Sequence, residues 1–307
     1  LAPTPPGRIG GAGRAGGRAA PPGGGGVNPT STPAPPPGAR LGIIGGGQLA
    51  RMTHQAAITL GVDVAVLCDD PFAPAVRAGA RHLPGRPDRF ADLVRLAASV
   101  DVVTVDHEQT PAASLDRLAG LGHVVAPGAL AARLGQDKAE VRSMLGAEGI
   151  PVAPWTCTAD AGEVAAFGAL HGWPLVVKRR CGGYDGRGVW IVEDVSAARD
   201  VIEEVGEVVV EPRLAFTHEL SVLVVRSTRG EVAAYPTLET VQRHGQCDEV
   251  FVPALVAAPL AVQARALAVR VAHRVGLVGV RAVELFVVDG RLLLNERAVR
   301  PHNSGHL

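Results

Sequence analysis

The chain has 307 residues, 47% hydrophobic and 4% aromatic, and its 30 Lys and Arg balance 30 Asp and Glu. That length allows two ordinary domains with a sizeable core, while zero net charge and few aromatics argue against a nucleic-acid footprint or a base-stacking platform. No apolar run reaches the roughly 18 residues a membrane helix needs, and the scattered cysteines Cys68, Cys157, Cys181 and Cys247 suggest neither zinc knuckle nor disulfide framework, which fits a reducing cytoplasm.

Residues 1–39 are rich in Gly, Pro and Arg, with no acidic residue and almost no large apolar side chain. Such a segment cannot bury enough surface to offset its ordering entropy, so it is expected to be a disordered tail. It has no apolar h-region of a signal peptide. From residue 40 the pattern becomes globular. Leu41–Ile44 reads as a short buried strand, Gly45–Gln48 as a tight turn and Leu49–Leu60 as a helix. Val62–Leu67 is the next strand, Phe90–Ala98 a helix and Asp101–Val105 a third strand. Strands alternating with helices predict a parallel, doubly wound sheet over residues 40–134.

Residues 135–307 read differently, as α+β with antiparallel pairs. Lys138–Gly149 is a helix closed by its glycine. Leu175–Arg179 and Val189–Val192 are strands joined by a glycine-rich stretch. Further strands are predicted at Glu207–Pro212, Glu219–Arg226 and Glu231–Tyr235, and a helix at Pro259–Val275. Val280–Val288 and Arg291–Asn295 form a hairpin across Asp289-Gly290, a strong turn dipeptide.

Four segments carry chemistry. Gly45-x-Gly47-x-x-Ala50 follows a strand and opens a helix, with Asp69-Asp70 ending the next strand, about the spacing of a dinucleotide fingerprint. Glycines there let a phosphate approach free N–H groups, although a tight turn without a ligand has the same pattern. Gly182-Gly183-Tyr184-Asp185-Gly186-Arg187-Gly188 can fold backbone donors over phosphates, with Lys178 directed at the same charge. It lacks the GK[ST] ending and following helix of a Walker loop; the plain alternative is an exposed hairpin loop. Glu284 and Glu296 lie on the two arms of the hairpin, with Asn295 beside them. Carboxylates so placed can share Mg²⁺ with ATP phosphates; Glu284 paired with Arg281 or Arg297 at the surface is the competing reading. Arg300 suits an anion, with His302 and Asn303 as donors, whereas the i, i+4 pair His302 and His306 lacks the helix a metal pair needs. Asp106-His107-Glu108 follows a strand and reads equally as a site edge or a solvated turn. Trp155, Trp173 and Trp190 read as packing.

With these residues in view, residues 41–306 resemble the N5-carboxyaminoimidazole ribonucleotide synthases, ATP-grasp carboxylases of purine biosynthesis. The resemblance rests on Gly45–Met52, on Lys178-Arg179-Arg180 with the glycine loop, and on Arg300-Pro301-His302-Asn303-Ser304-Gly305-His306. It implies a Rossmann-like pre-ATP-grasp domain followed by a two-subdomain ATP-grasp fold, with a lid subdomain over about 155–212. It implies an enzyme, a ligase that forms a C–N bond by carboxylating 5-aminoimidazole ribonucleotide with ATP, bicarbonate and Mg²⁺. Arg133 and Lys178 would meet the ATP phosphates, and Gly183, Tyr184, Asp185, Gly186, Arg187, Gly188 and Val189 would form the phosphate lid. Glu211, Pro212, Arg213 and Leu214 would hold adenine, Glu219 ribose, and Asn295 and Glu296 would complete the ATP site. Glu284 and Glu296 would bind Mg²⁺. Gly46, Gly47 and Gln48 would take the substrate phosphate. Tyr184, Asp185, Arg187, Arg300, His302 and Asn303 would face bicarbonate and the aminoimidazole, with Lys178, Asp185 and Arg300 catalytic.

The pattern departs from the family at Gln242, an ATP-site position where a histidine is usual, so a charged nucleotide contact becomes a neutral one. The family continues into a further small domain that supplies basic residues to the substrate phosphate. The sequence stops at Leu307, so that part of the site is expected to be missing. The resemblance also implies a cytoplasmic homodimer with small-molecule substrates and no nucleic-acid or membrane partner. Three other readings compete. A related ATP-grasp ligase shares the ATP machinery but not the Tyr184–Arg187 and His302–His306 segments. A nicotinamide oxidoreductase leaves the second glycine loop and the Glu pair unexplained. The third is a nucleotide-binding module without turnover.

Overall fold

The computed structural model describes residue 36 and residues 38–183, 188–243 and 246–305, all within one compact unit that runs from Ala34 to Leu307. The tail reading of residues 1–39 therefore falls almost wholly outside the described residues. The chain begins with β1 (Arg40–Ile44), α1 (Gln48–Thr59), β2 (Asp63–Cys68), α2 (Pro74–Arg77), β3 (Arg81–Pro84), α3 (Phe90–Ala97) and β4 (Val102–Val105). Their sheet is wholly parallel, in the order β3-β2-β1-β4. The central strands are buried runs with little alternation, such as Val64–Leu67, as a sheet covered on both faces demands. β3 was not legible in the sequence: Arg81-His82-Leu83-Pro84 is a short, half-exposed edge with no apolar run.

α4 (Ala112–Gly120), α5 (Ala129–Gln136) and α6 (Lys138–Ala147) lead into the second part. The Asp137 side chain caps α6, accepting from the N–H groups of Ala139 and Glu140 at 2.9 Å each. α6 ends two residues before Gly149, which takes φ +69°. A four-stranded sheet follows, built from β5 (Thr156–Thr158), β6 (Leu175–Arg179), β7 (Val189–Val192) and β8 (Val208–Pro212), with α7 (Ala161–His171) and α8 (Val195–Val205) in the connections. Its order is β5-β8-β6-β7, all antiparallel. The sequence reading missed α7 because its Ala- and Gly-rich face shows no apolar stripe. Gly168 is required there: a Cβ would lie 2.3 Å from the Trp173 ring.

The remaining strands are β9 (His218–Arg226), β10 (Val232–Ala234), β11 (Leu238–Arg243), β12 (Gln246–Phe251), β13 (Gly279–Val288) and β14 (Arg291–Ala298), with α9 (Ala258–Arg274) across one face. The sheet runs β12-β11-β9-β13-β14, with β10 on β9. Its main core joins β9, β13 and β14 to α5, α6 and α9 through Leu134, Leu145, Leu220, Val271, Val283 and Leu285. The β13–β14 hairpin turns at Asp289 (φ +48°) and Gly290 (φ +73°), the two positive φ values a tight twisted hairpin needs. β14 extends three residues past the predicted end at Asn295. The polar β11–β12 edge hairpin was not predicted, having no apolar alternation to mark it.

Candidate functional site

Lys178 lies on β6, directly opposite Val209 of β8, so Glu211 is its diagonal neighbour on the same face. Lys178 Nζ is 2.8 Å from Glu211 Oε2 and donates to Asn295 Oδ1 at 3.2 Å. The other oxygen of Glu211 accepts from Arg142 Nε of α6 at 2.5 Å. Arg142 also donates to the Asn295 carbonyl at 3.2 Å. One carboxylate thus ties two cations together where α6, β8 and β14 meet, and all three charged side chains are buried. Burial alone would raise the Glu211 carboxyl, but Lys178 and Arg142 together hold it below its ordinary value. Since the Glu211 carboxylate is occupied, the 211–214 segment can offer an incoming base its backbone groups. Just beyond it, Phe216 and Phe286 stack with ring centroids 4.4 Å apart.

The carboxylates come from the large sheet. Glu219 on β9, Glu284 on β13 and Glu296 on β14 form a crowded acidic group near Lys178. Burial first, and then the charges of Glu284 and Glu296, push the Glu219 carboxyl up to about 8. A register shift in the β13–β14 ladder lets Asn295 and Glu296 lie opposite Glu284. Consecutive residues of a regular strand face opposite ways; the bulge lets both side chains reach the same group. Glu284 does not pair with Arg281, which is fully buried on the other face of β13. It pairs with His302, Nε2 to Oε1 at 2.8 Å. Burial would raise Glu284 also, but the hydrogen bond from His302 and the charges of Arg300 and Lys178 hold it low.

The first glycine turn is held by Asp106 at the end of β4. Asp106 Oδ2 accepts from the Gly47 N–H at 2.7 Å, and a Cβ on Gly45 (φ +109°) would sit 1.7 Å from Oδ1. Asp106 is therefore a buried buttress rather than a solvated turn residue. Its burial, opposed in part by His107, the Gly47 N–H and Arg300, raises its carboxyl above the ordinary range. Asp69 and Asp70 are exposed, and Asp70 caps its own turn through the Phe72 N–H at 2.8 Å. The acidic residue that meets the glycine turn is not the one a dinucleotide fingerprint requires. Two residues after Asp106, Glu108 accepts from the Val299 N–H at 2.9 Å. One loop thus anchors both the glycine turn and the segment entering Arg300, whose charge acts on both Asp106 and Glu284.

The other expected residues are more dispersed. Gly183 and Gly188 pinch the neck of the second glycine loop: a Cβ on Gly188 would be 3.6 Å from the Gly183 Cα. Tyr184, Asp185, Gly186 and Arg187 lie outside the described residues, as do His306 and the Asn303 side chain. Val189 opens β7 and is partly exposed. Arg133 on α5 pairs with Glu140 at 3.1 Å and is more than half exposed. Gln242 is exposed on β11, next to a register shift. Arg142 and Ser221 have no local motif around them, Ser304 lies inside the Arg300–His306 motif without a role of its own, and Asp106 reads equally as a site edge or a solvated turn; what these residues do arises from contacts across 59 to 153 residues of sequence. A cavity of about 860 Å³ lined by Arg40, His54, Asp63 and Arg81, at the far end of the first sheet, contains none of the site residues.

Residues 39–136 match the ribonucleotide synthetase preATP-grasp domain and residues 143–307 the ATP-grasp domain. The chain is 45% identical over 272 residues to the N5-carboxyaminoimidazole ribonucleotide synthase of Mycobacterium bovis; the match covers 87% of this chain and 63% of that protein. The chain therefore spans somewhat under two thirds of that relative's length. The crystal structure of N5-carboxyaminoimidazole synthetase from Staphylococcus aureus complexed with ADP superposes with a TM-score of 0.83 at 29% identity, over 91% of this chain and 75% of that one. The Aspergillus clavatus synthase in complex with ADP and 5-aminoimidazole ribonucleotide gives 0.79 at 31% identity, over 88% and 72%. With its parallel first sheet, its two antiparallel sheets and these relatives, the chain belongs to the N5-carboxyaminoimidazole ribonucleotide synthase family of ATP-grasp proteins.

Proposed function

We propose that the chain uses ATP to activate bicarbonate and carboxylates the exocyclic amine of 5-aminoimidazole ribonucleotide. The observation that carries this reading is the buried Lys178–Glu211–Arg142 network facing the Glu219, Glu284 and Glu296 carboxylates. A lysine on one sheet, braced by Arg142 from α6, and carboxylates on another sheet suit a polyphosphate clasped between them. Adenine lies against the Phe216–Phe286 stack and the backbone of residues 211–214, and Glu219 meets the ribose. Lys178 binds the phosphates, and Asn295 fixes its ammonium group.

Mg²⁺ fits the donor set. Burial first, with the charges of Glu284 and Glu296 added, pushes the Glu219 carboxyl up to about 8, and a divalent cation beside these carboxylates would offset that cost. Among the described residues no three His, Cys, Asp or Glu converge into a metal centre of their own. Glu284 and Glu296 would therefore hold the ion together with phosphate oxygens, as Mg²⁺ commonly binds. When bound it neutralises phosphate charge. Bicarbonate attacks the γ-phosphorus, giving carboxyphosphate and ADP, and the substrate amine then takes the carboxyl group, releasing inorganic phosphate and a proton. Arg300 sits between the carboxylates and the first turn, where it can hold the bicarbonate-derived anion near the amine. Gly46, Gly47 and Gln48 take the substrate phosphate.

The test is coupled measurement of ADP release with each substrate omitted in turn. The expected result is ADP formation that needs both bicarbonate and 5-aminoimidazole ribonucleotide. ATP turnover indifferent to the aminoimidazole, with another amine or carboxylate required instead, would overturn the reading.

A further inference from the structure

His302 belongs to a chain of hydrogen bonds whose direction can be read atom by atom. Its Nε2 is 2.8 Å from Glu284 Oε1, and its Nδ1 is 2.9 Å from Ser304 Oγ. The backbone N–H of Ser304 also donates to Nδ1, at 3.4 Å. A backbone N–H can only donate, so Nδ1 carries the lone pair and the ring proton is on Nε2. The Ser304 hydroxyl proton then goes to Nδ1. Its oxygen accepts from Ser221, whose Oγ is 2.8 Å away. The order is Ser221 to Ser304 to His302 to Glu284, and no other placement of protons satisfies all four contacts.

The fold builds this chain deliberately into buried space. Ser221 on β9 is directly opposite Glu284 on β13. Ser304 lies in a 3₁₀ turn, Asn303–Gly305, that packs onto β9 through Gly305, where a Cβ would lie 2.3 Å from Leu223 Cδ2. Both serines have no exposed surface, so water does not stand in for either hydroxyl. Histidines at reaction centres take their tautomer from the group bonded to the far nitrogen.

We propose that Ser221 and Ser304 are positioning residues that hold His302 as its Nε2–H tautomer, so that the ring always offers the site a donor. That donor meets Glu284 in the unliganded chain and suits an acceptor oxygen of an anionic substrate. Its part in turnover rests on the carboxylase reading; the tautomer itself does not.

The whole chain, labelled with ¹⁵N-histidine and free of nucleotide, tests this by long-range ¹H–¹⁵N correlation, with His302→Gln assigning the ring. The expected pattern is an unprotonated Nδ1 and a protonated Nε2 in the parent, a reduced Nε2–H population in Ser304→Ala, where only the long backbone contact to Nδ1 and Glu284 at Nε2 remain, and a smaller change in Ser221→Ala. Under turnover conditions, Ser304→Ala should lower kcat about tenfold, in line with the loss of other outer partners of a site histidine, and leave the KM for ATP unchanged. A parent ring protonated at Nδ1 or at both nitrogens overturns the proposal, as does a parent pattern retained in Ser304→Ala. If Ser304→Ala does not fold, the parent spectrum and Ser221→Ala still decide. Absence of turnover in the parent would count against the carboxylase reading, not against the tautomer.

Discussion

Lys178 already has two partners before any nucleotide arrives, and the identity of those partners sets what single substitutions do. Arg142→Met keeps the side-chain volume but leaves the buried Glu211 with Lys178 alone. Breaking one arm of a buried ion network costs about 3–5 kcal/mol, which denaturant unfolding of the variant should show. Loss of less than about 1 kcal/mol would mean that Arg142 is dispensable to the network. Glu296 behaves in the opposite way. It is one of the charges that raise Glu219, so Glu296→Gln should leave the unliganded chain at least as stable as the parent. Removing a carboxylate from a phosphate-bridging ion should nevertheless lower kcat on the order of a thousandfold, about 4 kcal/mol in the transition state. A variant with near-parent kcat at saturating Mg²⁺ would remove that carboxylate from the metal site.

Among the elements, α6 has the most at stake, because its first residues also brace the glycine loop. Asp137 caps α6 and pairs with Arg180 at 2.7 Å, just before Cys181, which bridges back to Asp137. Burial would raise the Asp137 carboxyl, but Arg180 and the N–H groups of Glu140 and Ala139 outweigh it and hold it below its usual range. A depressed carboxyl stabilises the fold above its unfolded pKa, near about 4, and loses that contribution as pH falls through the folded value. Asp137→Ala should therefore cost about 1 kcal/mol or somewhat more at pH 7. The gap between parent and variant in thermal unfolding should close below about pH 4; a gap of constant size down to pH 3 would show that Asp137 is not the group concerned. In the first sheet, Gly45→Ala should fail more severely, since its Cβ would overlap the Asp106 carboxylate.

Across the whole molecule, the proposed nucleotide site draws on the 156–212 sheet for Lys178 and on the large sheet for its carboxylates, so a bound nucleotide ties the two together. ADP with Mg²⁺ at about a hundred times its Kd should contribute about 2.7 kcal/mol, a rise in Tm of roughly 5–10 °C for a chain of this size. Lys178→Ala should abolish that rise; a shift of the same size in the variant would move the nucleotide elsewhere. The two-part organisation, the parallel first sheet and the β6–β7 and β13–β14 antiparallel pairs are legible in the amino-acid sequence. These are short-range matters of hydrophobic period, turn dipeptides and glycine spacing. The tertiary structure shows that Glu211 belongs to Lys178 and Arg142, that Asp106 rather than Asp69 buttresses the first turn, and that Glu284 answers to His302 instead of Arg281. The reason is physical. A buried charge takes whichever partner the packing brings within about 3 Å, and here packing brings residues that are distant in the chain. The bulge that aims Asn295 and Glu296 at one group is likewise invisible in sequence, because it is a property of how two strands pair and not of either strand alone.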